Sequence, residues 1–325
     1  MLSPLMLTDG GIETDLIFHH GQDLPYFAAF VLLDTSEGRE RLRAYYQPYL
    51  QIARDAGVPL VLETPTWRAN PDWIALLRRP AADIERINRE AVQLLTALRD
   101  DYDDVPVVIS GCIGPRTDGY DRSATMDQDE AQDHHNRQVE ALHDSGVDRV
   151  TAITMAYSAE AVGIIRAASV AGVPAVISFT VEVDGQLPDG SSLRETIGAV
   201  DRATDHGPIS YMVNCAHPSH LEVAFGLRAG GATARQHTSE SLPDDREAPG
   251  DQGWAARVNG VRANGSPRSH AELDTATDLD EGDPVQFGAA LARLRAEVPS
   301  LAVLGGCCGT DQRHILEVAR AVGRC

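Results

Sequence analysis

The chain has 325 residues and carries 48 acidic against 28 basic side chains, a formal net charge of -20. Such a surface repels polyphosphates and anionic lipid, which excludes nucleic acid and membrane surfaces as partners and leaves cationic small substrates open. Its 43% hydrophobic and 23% charged residues describe an ordinary globular chain, long enough to bury one large core or two average ones.

Every basic residue is Arg, and there is no Lys. Lysine Schiff-base and lysine general-base mechanisms are therefore excluded. No apolar run reaches the ~18 residues of a membrane span. The first residues lack the basic start and long apolar centre of a signal peptide, so the expected compartment is the cytoplasm. Thiols stay reduced there, and the five cysteines are expected to be ligands or bystanders rather than disulfides.

In chain order, short runs rich in β-branched residues predict strands at 5–8, 59–62, 105–110, 149–154, 175–180, 211–214, 258–262 and 301–304. Apolar residues returning every three and four positions predict helices between them, among others at 84–99, 129–145 and 159–171. Gly146 and Gly172 stand where a helix hands over to the next strand. Eight strands alternating with helices point to a single parallel (β/α)8 TIM barrel spanning residues 1–325, with a doubly wound open sheet as the other arrangement. One stretch breaks the rhythm. Residues 230–253, GGATARQHTSESLPDDREAPGDQG, read as a polar loop insertion, either a passive surface excursion or a lid.

Cysteine carries the strongest chemical signal. Cys307 and Cys308 lie in GGCCGT directly after the last predicted strand, and Cys215 follows the sixth in VNCAHP. Adjacent thiols form only a strained disulfide, whereas flanking glycines let both sulfurs turn toward one soft cation. A barrel opens all its strand C-termini onto one face, so Cys215 is placed to join them. Three sulfurs on zinc would leave a fourth position open, as catalytic sites do, and inert buried cysteines remain the other reading. The same mouth collects Asp9 after strand one, Glu63 and Trp67 after strand two, and Glu182 after strand five. Each acid taken singly also fits a helix cap. Cys112 and Cys325 are expected to be bystanders, and His217 and His270 to be loop or structural residues rather than ligands.

Taken together and in this order, DGGIET, ETPTW, GCIGP, VNC and GGCCGT resemble the homocysteine S-methyltransferase family across nearly the whole chain, from Asp9 to Thr310. The resemblance implies a (β/α)8 barrel with one zinc ion held by Cys215, Cys307 and Cys308, and an Asp9 that helps hold the amino acid. It also implies a small-molecule thiol acceptor, homocysteine, and a small onium donor such as S-methylmethionine or S-adenosylmethionine. Trp67 and Phe18 are candidates for aromatic contact with that cation. One position departs from the pattern: Ile153 stands where many members carry a Glu that meets the amino group of homocysteine. Asp9 or Glu182 is then expected to make that contact, or the acceptor is another thiol or selenol. A non-catalytic zinc-binding barrel is the reading outside enzymology.

Overall fold

The computed structural model describes residues 4–120, 124–227, 253–276 and 278–323. Eight strands form in the predicted places: β1 (Met6–Thr8), β2 (Leu60–Glu63), β3 (Val107–Ile113), β4 (Arg149–Met155), β5 (Ala175–Phe179), β6 (Ser210–Asn214), β7 (Val258–Ala263) and β8 (Val303–Gly306). They pair in parallel and in sequence order, and β8 closes on β1 through Met6 opposite Val303 and Leu7 opposite Leu304. Closure excludes the open doubly wound sheet. Two strands run two or more residues further than expected. β3 continues to Ile113 because Cys112 and Ile113 keep pairing with Thr151 and Ala152, and β8 continues to Gly306, opposite Ala263.

The main helices after successive strands are α1 (Ser36–Ala56), α2 (Asp83–Asp101), α3 (Gln128–Asp144), α4 (Ser158–Ala171), α5 (Leu193–Thr204), α6 (Pro218–Ala224), α7 (Pro284–Glu297) and α8 (Gln312–Val322). Their ends follow from local chemistry. Thr35 caps α1 by accepting from the Gly38 amide, and Ser192 with Glu195 forms a reciprocal capping box on α5. Gly172 ends α4 at φ 78°, a conformation that costs an L side chain energy and a glycine little. The predicted loop at 230–253 lies outside the described residues except for Gly253, which opens the helix Gly253–Arg257, and Cys325 lies outside them too. Among the described residues no helix is long and apolar enough to cross a membrane.

The barrel interior changes character along its axis, and that change positions the site. One inward layer is apolar: Val61, Val176, Met212 and Val303 cluster with Met6 and Val108. Side chains alternate across a strand, so the next inward layer lies two residues further on. It contains Thr8, Glu63, Ser110, Ser178 and Asn214, all buried. Thr151 belongs to it, since its hydroxyl lies 2.7 Å from that of Ser110, and Arg262 stands two residues past the inward Gly260. The barrel thus has a greasy floor and a polar upper storey.

Candidate metal centre and substrate cavity

Cys215 follows the last residue of β6, and Cys307 and Cys308 follow β8. Their sulfurs converge at the strand C-terminal mouth, all within 4.8 Å of one another. Cys215 Sγ lies 2.8 Å from Cys307 Sγ and 3.9 Å from Cys308 Sγ, and all three thiols are free. Sulfurs ~2.3 Å from one tetrahedral ion would stand about 3.8 Å apart, so the observed spacings bracket that distance. Hydrogen bonding from the Cys215 and Cys308 thiols holds Cys307 well below the usual thiol range, and the same contacts push its two partners up. A soft cation would supply the positive charge that lets all three converging sulfurs ionise, so this donor set fits a metal ion.

The backbone around the cluster is held in costly conformations. Cys215 has φ 54° and the β-branched Thr154 has φ 68°, each in the left-handed region at a cost of roughly 1–3 kcal/mol. Asn214 over-determines Thr154. Its side-chain oxygen accepts from the Thr154 amide at 2.9 Å and from Ser178 at 2.6 Å, and its amide donates to the Thr154 hydroxyl at 2.8 Å. That hydroxyl in turn approaches Cys215 Sγ at 3.9 Å. Gly11 matters through close approach rather than strain. A Cβ there would run into the Cys307 carbonyl, so only glycine lets the first-strand loop pass under the cysteine turn.

Beside the sulfurs lies a cavity of ≈ 80 Å³ walled by Asp9, Glu13, Glu63, Trp67 and Ile153. At roughly 10–15 Å³ per water-sized group it admits about five to eight non-hydrogen atoms, the size of a small amino acid. Asp9 reaches the wall with its carboxylate already engaged. Arg262 Nη1 donates to it at 2.5 Å and the Tyr45 hydroxyl at 3.2 Å, while Arg262 Nη2 donates to the Gly10 carbonyl at 3.0 Å. Burial pushes the Asp9 carboxyl up, and Arg262 opposes it. Glu63 points inward with neither carboxylate oxygen hydrogen-bonded within the protein, and burial pushes it up as well. The nearby Ser110 hydroxyl lies 2.7 Å from that of Thr151, and Arg149, Arg262 and Ser110 together oppose the upward push of burial on Glu63. Trp67 donates its indole N–H to the Ile153 carbonyl at 3.2 Å and has Arg68 stacked on its ring at 3.9 Å.

Other expected positions fall elsewhere. Glu182 is not part of the cavity wall: its backbone pairs with Gln186 in a turn beyond β5, and its half-buried carboxyl is pushed up by burial. Phe18 is 46% exposed and outside the cavity. Cys112 lines the cavity as a buried thiol pushed well up by desolvation, apart from the sulfur cluster. His217 caps α6 by accepting from the Ser219 amide, and His270 stacks on Tyr120 at 3.5 Å, whose hydroxyl donates to the Cys215 carbonyl at 3.1 Å. A second cluster, Asp15 with His19 and Asp311, is tied up by Arg313 and Glu281 at the rim.

Residues 6–322 match the family model for homocysteine S-methyltransferase. The chain belongs to that family. Membership makes it an enzyme that methylates homocysteine, and the (β/α)8 barrel follows the fold of solved relatives. The homocysteine methyltransferase MmuM from Escherichia coli superposes in its metallated form with TM-score 0.70 at 20% identity, covering 99% of this chain and 97% of that one. Its oxidised form gives 0.68 at 20% identity with 98% and 95% covered, and its apo form 0.63 at 18% with 98% and 96%. Comparison with curated proteins returns no match. The sequence did not point to Arg262 and Glu13, which line the cavity, or to Tyr45, which holds Asp9 from behind it. The first had a signal, since a lone Arg two residues after an inward strand glycine must point into the barrel.

Proposed function

We propose that the enzyme uses zinc, held by Cys215, Cys307 and Cys308, to methylate homocysteine from a small sulfonium donor, S-methylmethionine or S-adenosylmethionine, giving methionine. The observation that carries this is three free sulfurs converging beside a cavity of amino acid size. The metallated form of the E. coli relative supports a metal at such a site. Zinc, when bound, would remove the proton from a coordinated acceptor thiol and fix the sulfur in place.

The rest is the work of the chain. In the reaction the acceptor sulfur attacks the donor's methyl carbon, the bond from that carbon to the sulfonium breaks, and its electron pair leaves as a neutral thioether; the thiol proton passes to solvent. Asn214 and Thr154 hold the Cys215 turn so that the three sulfurs face one point. With a divalent ion bound, Cys215, Cys307 and Cys308 as thiolates would leave a net negative centre, which would attract a cationic donor and keep the acceptor sulfur electron-rich. Trp67 gives that cation an aromatic wall. Asp9, fixed by Arg262 and Tyr45, shapes the acceptor side. The test is to incubate zinc-loaded protein with homocysteine and each donor in turn and to quantify methionine. Formation with at least one donor supports the proposal, and none with either rejects it.

A further inference from the structure

An amino acid acceptor brings an ammonium group into a cavity with one apolar wall at Ile153, which offers it nothing. Burying an unpaired ammonium costs several kcal/mol or forces its deprotonation, so one carboxylate of the wall must receive it. Three are available: Asp9, Glu13 and Glu63. Asp9 is spent on Arg262 and Tyr45. Glu63 is different in kind. It is only 4% exposed, it projects inward one pleat above Val61, and both its oxygens lack any hydrogen-bond partner within the protein. Nearly all buried polar groups in folded proteins are partnered, and a buried carboxylate with both oxygens free is a marked exception that needs a reason. Arg149 and Arg262 lend nearby positive charge, but the terminal nitrogens of Arg262 serve Asp9 and the Gly10 carbonyl, and neither guanidinium hydrogen-bonds a Glu63 oxygen.

We propose that Glu63 is the seat of the acceptor's α-ammonium, and that this residue makes the enzyme require an α-amino group on its thiol substrate. The inference rests on the acceptor reading given above and adds the group that recognises it. An ammonium has three donors, enough to meet both Glu63 oxygens, and its charge offsets a carboxylate that burial otherwise disfavours. The methylene chain of the acceptor then runs along Ile153 toward the sulfurs. A purely architectural Glu63, present only as a counter-charge to Arg149 and Arg262 in the barrel, would make no distinction between ligands with and without an amino group.

The experiment compares each ligand with its deaminated twin. Turnover is measured with homocysteine and with 4-mercaptobutanoate. Binding to the metal-free protein is measured by calorimetry with L-methionine and with 4-(methylthio)butanoate, independently of any chemistry. Wild type should prefer the amino member of each pair by at least ~10-fold, and Glu63→Gln should reduce that preference by at least ~10-fold, the loss expected for one charge-assisted buried contact. A wild-type preference near unity in the binding pair overturns the proposal without recourse to any variant. A preference that survives Glu63→Gln overturns it also, whatever happens to overall activity. Failure to methylate homocysteine, with the amino preference in binding intact, would instead count against the acceptor reading and leave the ammonium seat standing.

Discussion

Replacing Arg262 by Met should be among the most damaging single changes in this barrel. The guanidinium is 6% exposed and its partner carboxylate, Asp9, 2%. The change removes a 2.5 Å contact to Asp9 and a 3.0 Å bond to the Gly10 carbonyl, and it leaves Asp9 and Glu63 facing one interior with Arg149 as the remaining cation near Glu63. Two charge-assisted bonds at ~1.5–3 kcal/mol each agree with the ~3–5 kcal/mol found when a buried ion pair loses one member. Urea unfolding followed by circular dichroism measures the loss. Asp9→Asn combined with Arg262→Met should recover part of it, since no unpaired carboxylate then remains at position 9. The loss should also depend on pH. Without Arg262, the Asp9 carboxyl lies still further above its unfolded value. A raised carboxyl contributes stability that is present below the unfolded pKa of ~3.9 and is lost as pH rises through the folded one, so the variant should be closest to wild type in acid. A cost under ~1 kcal/mol at neutral pH, unchanged in acid, would refute the reasoning.

Cys307→Ser and Cys308→Ser should each lower zinc content well below wild type, whereas Cys112→Ser should retain it, because Cys112 lies outside the sulfur cluster; elemental analysis of the purified proteins decides, and full zinc in both ligand variants would end the assignment. Glu13 supplies a pH test on the metal-free protein. Burial, aided by negative charge at Cys307 and Asp9, pushes its carboxyl up from 4.5 to about 7. Its contribution to stability is therefore complete below about pH 4.5 and is lost as pH rises through about 7, by up to about 3 kcal/mol. Thermal unfolding across that window should slope downward in wild type and less so in Glu13→Gln; parallel slopes would show that Glu13 is not the group responsible.

The barrel was legible because each strand carries its own apolar run and each following helix its own period. Closure was the natural end of eight such units. Cys215, Cys307 and Cys308 were legible for a related reason: residues just past strand ends share a face whatever the loop details. The partners of Asp9 were harder to see. Arg262 lies 253 positions away, and its engagement with Asp9 depends on inward registers of β1 and β7 that only the closed barrel fixes. Following a strand does not by itself bring a side chain to the cavity wall: after β5 the chain turns back through Gln186, and Glu182 lies outside that wall. Glu63 was expected at the mouth, and what the sequence could not convey is that its oxygens are left without protein partners. That is a property of every neighbouring side chain at once.

On the proposed reading, catalysis runs through one metal ion on three cysteines. The most direct test is to titrate metal-free protein with zinc while measuring methionine formed from homocysteine and whichever donor is active. The rate should climb from near zero and break sharply at one zinc per chain. Full activity in the metal-free protein, or a rate indifferent to added zinc, would contradict it.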